Sequence, residues 1–189
     1  MTEIKFNLRQ FQEPLVIVGL GNIGKEYEQT RHNAGFIFID LLINALETAG
    51  YSIDIKQEAE YTLWTCRELN LNLIKPKLMM NLSGKSLSAY YRYHKHLKST
   101  NLIVAHDDLD LALGDYKINI GKGPRLHNGL RSIESELTVS NFARIRIGIE
   151  NRNGLPITGL DYVLFKFTKA EFAPIKQCIT EIINKRFSF

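Results

Sequence analysis

The sequence is poor in cysteine, with Cys66 and Cys178 the only two among 189 residues. They form no C-x-x-C pair and have no histidine pair nearby. That excludes a zinc-finger framework and a disulfide scaffold and leaves reduced thiols as the expected state. No apolar run approaches the roughly 20 residues of a membrane-spanning helix. The opening stretch, MTEIKFNLRQFQEP, has no apolar core of signal-peptide length and carries Glu3 and Glu13. No membrane partner is expected, and the expected location is the cytoplasm. There is no internal repeat and no low-complexity linker, which excludes a fibrous or disordered chain. The hydrophobic share of 44% and charged share of 23% are those of a globular domain. The 24 basic and 20 acidic residues leave a net charge of +4, which permits a nucleic-acid partner without demanding one.

Residues 1–13 read as a polar N-terminal extension and 14–189 as one domain. Leu15–Leu20 (LVIVGL) is a short run rich in β-branched residues between Pro14 and Gly21, the pattern of a buried strand. A polar loop covers 21–33. Apolar residues at helical spacing then run from Phe36 to Leu46, with Gly50 as the stop. Tyr61–Leu69 and Asn70–Lys75 read as a strand pair, and Ser83 or Gly84 opens a helix. Leu102–Ala105 reads as a buried strand ending in His106-Asp107-Asp108. Tyr116–Ile120, Phe142–Ile149 and Asp161–Phe167 read as further strands, and Asn128–Leu137 and Lys169–Arg186 as helices. This mixture predicts a single α/β domain with a mixed, twisted β-sheet covered by helices on both faces.

Gly19-Leu20-Gly21-Asn22-Ile23-Gly24 matches G-x-G-x-x-G directly after a strand, and Asp40 follows near the spacing of a ribose-binding acid. A nucleotide site would need the third glycine to open an amphipathic helix. The next segment, KEYEQTRHNAG, offers only Tyr27 and Ala34 as apolar bodies. The helix is therefore expected to start later, with Asp40 inside it, and a nucleotide-dependent enzyme stands second. Glycines that serve a tight turn explain the motif equally well.

Read whole, VGLGNIGKEYEQTRHNAGF resembles the opening signature of the bacterial peptidyl-tRNA hydrolases. KPKLMMNLSG at 75–84, AHDDLDLALG at 105–114 and HNGLRSI at 127–133 resemble the later blocks of that family in the same order and spacing. The resemblance implies a monomeric, metal-free, cofactor-free cytosolic esterase. Its substrate would be peptidyl-tRNA, cleaved at the ester joining the peptide to the terminal ribose so that the tRNA is recycled.

Ester hydrolysis by an activated water needs a base of near-neutral pKa, an acid to orient it and donors for the oxyanion. His32, in a polar loop between strand and helix, is the best base in the chain, and the resemblance implies that it is catalytic. Asp107 lies at a strand end, where a carboxylate can fix the tautomer of His32. Asp108 and Asp110 compete for that role or are solvated turn residues, and His106 is read as structural. Asn22, Asn81 and Asn128 recur in three loop motifs, each offering donors and an acceptor without charge. By resemblance, Asn22 and Asn81 hold the peptide–ribose end, with Asn22 counted in the catalytic set, and Asn128 positions the water or the oxyanion. Asn128 before Gly129 is equally explained by a turn. Tyr27 and Met80 join the substrate contacts by resemblance, although Met79 and Met80 fit a core as well. Ser83 in NLSG is read as a helix cap and Cys66 as packing, so no covalent intermediate is expected.

Lys122, Arg125 and Arg131 are the candidate tRNA contacts by location, and Arg146 by resemblance to an arginine that meets the terminal phosphate. Tyr90–Lys98 interleaves rings and bases and is read as an exposed helix end, with RNA contact as the lesser reading. The chain departs from the family at Arg125-Leu126, where two glycines are usual, and at Asn119, where a basic residue is usual. The family generally continues past the last helix into a lid-like segment, whereas this chain stops at Phe189. These departures motivate the alternative of a catalytically silent RNA-binding relative.

Overall fold

The computed structural model describes residues 3–11, 13–94, 98–124 and 126–189. Its centre is strand β2 (Leu15–Gly19), every residue of which is buried. A strand can bury every residue only if both faces are covered, because successive side chains point to opposite sides. Leu15 and Ile17 face one core with helices α1 (Ala34–Thr48) and α5 (Lys169–Arg186). Val16 and Val18 face a second core with α2 (Ser83–Tyr93) and α3 (Asn128–Leu137).

The remaining strands are β1 (Phe6–Asn7), β3 (Asp54–Gln57), β4 (Tyr61–Cys66), β5 (Leu71–Pro76), β6 (Leu102–Ala112), β7 (Tyr116–Ile120), β8 (Ala143–Glu150) and β9 (Phe187–Ser188). Six of them join β2 in a seven-stranded sheet in the order β3-β4-β5-β2-β6-β8-β7. The inner four, β5, β2, β6 and β8, are parallel, and the pairs β3/β4, β4/β5 and β7/β8 are antiparallel. The sheet is mixed and carries helices on both faces, as the sequence predicts. The chain leaves β2 toward β5 on one side and returns at β6 on the other. The crevice beyond the carboxyl ends of β2 and β6 is thus a topological switch point, where open α/β sheets bind ligands.

The glycines of the opening motif serve packing at this crevice. A Cβ on Gly19 would lie 2.2 Å from the Gly35 carbonyl oxygen, and one on Gly35 would lie 2.3 Å from the Ala105 carbonyl oxygen. The start of α1 therefore rests directly on the end of β2 and on β6 at Ala105. Between them lie only single turns, Lys25–Tyr27 and Arg31–Asn33, and Asp40 falls inside α1 with its carboxylate on Lys75. The third glycine, Gly24, therefore opens only a single turn and not the amphipathic helix that a nucleotide site would need there.

Several local expectations change. Asp161–Phe167 is not a strand. It begins in the short helix α4 (Gly159–Tyr162), capped by Thr158, whose Oγ1 accepts from the Asp161 N–H, and only Lys166 makes a β-bridge, to Thr30. Ser83 does not cap α2, because its hydroxyl donates backward to the Met80 carbonyl at 2.8 Å from the first helical position. The exposed helix end expected over Tyr90–Lys98 holds Tyr90, which is buried and stacked on His94, while residues 95–97 lie outside the described set. The N-terminal stretch supplies Phe6 and Leu8 to the core, and β1 pairs in parallel with β9. Among the described residues, no helix is long and apolar enough to cross a membrane.

Candidate active site

His32 reaches the crevice through a loop fixed from behind. The His32 N–H donates to the Val163 carbonyl at 2.8 Å and the Arg31 N–H to the Phe165 carbonyl at 3.1 Å. The Arg31 guanidinium donates to the Phe165 and Lys166 carbonyls and to Glu171 Oε1 at 2.6 Å, and lies 4.1 Å from the Tyr162 ring centroid. Arg31 is 4% exposed, so this cation is structural and the loop it holds has little freedom.

Asp107 lies within β6, two positions past the apolar stretch Leu102–Ala105, and not at the expected strand end, because β6 runs on to Ala112. Its Oδ1 accepts from His32 Nδ1 at 2.9 Å and from His127 Nε2 at 3.1 Å. His127 is the N-cap of α3, and its Nδ1 accepts from the Leu130 N–H at 3.4 Å. These partners put the proton of His127 on Nε2 and that of His32 on Nδ1, leaving His32 Nε2 as an acceptor. The two imidazole rings stand 5.1 Å apart.

Burial disfavours the charged form of His32, but the Asp107 charge and hydrogen bond outweigh it and hold the pKa above the ordinary histidine value. Burial likewise opposes ionisation of Asp107, yet the two histidines facing it hold it well below the usual carboxylate range. His106 points to the other side of the strand. Burial, reinforced by neighbouring His127, pushes its pKa down to about 3, so it is a neutral ring. Its Nδ1 lies 2.7 Å from the Asp107 carbonyl, and its Nε2 has no partner among the described residues.

His32, Asp107, His127 and Asn128 line one open cleft of about 420 Å³, with an apolar wall that includes Leu109, Leu126, Leu160 and Val163. Asn22 lines a neighbouring cleft with Asn33 and Phe36. Its Oδ1 accepts from the Met80 N–H at 2.8 Å, and Asn33 brackets its backbone on both the N–H and the carbonyl. Only the amide NH₂ of Asn22 is left for a ligand. Met80 is buried in the second core, and Asn81 is exposed outside the residues lining either cleft. Tyr27 is half-buried on its single turn. The site residues expected to converge are thus divided. His32, Asp107 and Asn128 share a cleft, Asn22 stands beside it, and Asn81 stands apart.

The expected cations also differ from one another. Arg146 donates to Asp108 Oδ2 at 2.6 Å and to Asn119 Oδ1 at 3.3 Å. Asp108 is therefore a buried ion-pair partner, 1% exposed, and not a solvated turn residue. Asp110 is exposed. Lys122 and Arg131 are exposed, and Arg125 lies outside the described residues. Sequence reasoning missed His127. It stood inside the HNGLRSI block, where Asn128 drew the attention, and the available signal was a histidine immediately before a helix. Among the described residues, His32, Asp107 and His127 form the cluster of three ligand-bearing groups whose atoms could reach a single metal ion.

A family model described as peptidyl-tRNA hydrolase matches residues 16–186. A peptidyl-tRNA hydrolase of Rickettsia bellii is 41% identical over 171 residues, covering 90% of this chain and 90% of the relative. One of Geotalea daltonii is 41% identical over 176 residues, covering 89% and 86%. The crystal structure of the Acinetobacter baumannii peptidyl-tRNA hydrolase superimposes with a TM-score of 0.78 at 32% identity, covering 91% of this chain and 86% of that one.

Proposed function

From the membership of this chain in the peptidyl-tRNA hydrolase family, shown by those matches, we propose the following mechanism for the hydrolysis of peptidyl-tRNA. His32 Nε2 takes a proton from a water in the cleft. The resulting hydroxide attacks the ester carbonyl carbon, and the bond to the terminal ribose oxygen breaks. The imidazolium returns its proton to that oxygen, giving a peptide carboxylate and a tRNA with a free hydroxyl. Asp107 holds the tautomer and stabilises the transient imidazolium. Asn128, at the first position of α3, faces the oxyanion.

Asn22 offers its NH₂ to the peptide–ribose end, and Asn81, Tyr27 and Met80 are the further substrate contacts of this reading. Lys122, Arg125, Arg131 and Arg146 are the tRNA contacts. The reaction needs no metal or cofactor, and the enzyme acts as a cytoplasmic monomer that returns tRNA to translation. The observation that carries the proposal is the single Asp107 oxygen that fixes His32 from behind while its other ring nitrogen opens on the cleft. The test is peptide release from an N-blocked aminoacyl-tRNA in the presence of a chelator, with His32→Ala as the comparison. Undiminished release by His32→Ala would overturn it.

A further inference from the structure

Two histidine nitrogens aimed at one carboxylate oxygen are more than the proposed base requires, and the same arrangement has a second chemical use. We propose that His32 Nδ1, Asp107 Oδ1 and His127 Nε2 form an inhibitory site for a borderline divalent cation of the zinc class. A tetrahedral zinc ion with bonds of about 2.0–2.2 Å needs ligand atoms about 3.3–3.6 Å apart. The two N···O separations are 2.9 and 3.1 Å, and all three atoms lie within 4.8 Å of one another. Side-chain rotations that widen the two N···O separations by a few tenths of an ångström bring both to that size.

All three side chains line the cleft, so an ion entering there keeps water as its fourth ligand. Two imidazoles and one carboxylate are the donor set that suits zinc rather than magnesium or calcium. The set is also preorganised. Asp107 is anchored in a parallel strand, His127 at a helix start and His32 in the loop that Arg31 holds.

Occupancy changes the tautomers without changing the number of protons on the rings. An ion on His32 Nδ1 moves that ring's proton to Nε2, which then faces the cleft as a donor and cannot accept from water. On His127 the proton moves to Nδ1, at the cost of the already long 3.4 Å bond from Leu130. The ion thus disables the base while leaving the fold in place. This consequence for activity rests on the reading of His32 as the base, whereas the binding does not.

Cobalt(II) reports both. Titration of the full chain should give the strong visible absorption of a four-coordinate site at one equivalent, and one equivalent of zinc should bleach it. His127→Gln and His32→Ala should each lose the signal, and His94→Ala, remote from the site, should keep it. Ester cleavage should fall in step with zinc occupancy and return on chelation. A missing four-coordinate signal, or one that survives His127→Gln, overturns the site. A zinc-loaded enzyme that retains full activity overturns the inhibition. If the unloaded chain cleaves no ester, the assignment of His32 fails, while the cobalt spectrum still decides the site.

Discussion

Two neighbouring parts of the sheet end handle charge in opposite ways. On the β2/β6 side, one carboxylate serves two histidines, and one of these keeps a ring nitrogen open to the cleft. On the β6/β8 side, the carboxylate of Asp108 lies against Arg146 at 2.6 Å, and Arg144 is spent on Glu134 and two carbonyls. The first arrangement orients an imidazole toward the cleft. The second neutralises Arg146, one of the four cations that the sequence offers as RNA contacts, while Lys122 and Arg131 stay exposed. The position of an arginine in the sequence therefore says little about its availability, since the next strand can supply its counter-ion.

The largest effect expected on ester cleavage comes from His32→Ala, at about 10²–10⁴-fold in kcat/KM, the usual contribution of a general base. The thermal midpoint should barely move, because the loop is held by Arg31 and by backbone bonds. Comparable losses of activity and of folding would show that His32 is structural and would end the contrast between the two sides.

Asp107→Asn comes next, at roughly 10²-fold, with a diagnostic change in pH dependence. The base must be neutral to act, so the rate should rise with pH. Asp107 raises the His32 pKa, so the inflection should lie above the ordinary value of about 6.5. In Asp107→Asn the raising influences are gone and burial remains, so the acidic limb should move to lower pH. A limb that stays in place would mean that another group sets it.

These two sides were not equally legible in the sequence. The buried strands and the long helices were, since each repeats one apolar period over many residues, and α3 and α5 run over the residues expected. His32 and Asp107 were placed by the loop-after-strand pattern together with the family motifs. His127 was missed because its partner lies 20 residues away across the sheet. The exposed edge strand β3 was missed because all four of its residues face solvent and show no alternation. DYVLFKF holds a short apolar run like that of a buried strand, but the Thr158 cap three residues before Asp161 starts a helical turn, and Tyr162 then packs on Arg31. The pairing of β1 with β9 joins the two ends of the chain, a contact with no local signal. The pairing of Asp108 with Arg146 was hidden in the same way, because it depends on the register of β6 against β8, in which Asp108 lies opposite Gly148 and His106 opposite Arg146.

Arg146→Ala should reduce cleavage less than tenfold, mainly through KM, yet cost about 3 kcal/mol of stability. It leaves Asp108 buried without its partner. Adding Asp108→Asn to that variant should recover most of the lost stability in a denaturant titration. Failure to recover it would show that the arginine stem, and not the charge pair, packs this corner.

The smallest effects concern salt. Each exposed cation that meets a phosphate adds about 0.7–0.9 to the slope of log affinity against log salt concentration. Lys122→Ala and Arg131→Ala should each reduce that slope by about this amount. Arg146→Ala should reduce it by less, because Asp108 already offsets the charge. Asp108→Asn on its own should act in the opposite direction, making the slope steeper and tRNA binding tighter at low salt, since it frees the Arg146 guanidinium for a phosphate. If Asp108→Asn leaves the slope unchanged while Arg146→Ala flattens it by a full unit, Arg146 meets the phosphate despite its carboxylate partner. The two sides of the cleft would then both be built for the substrate.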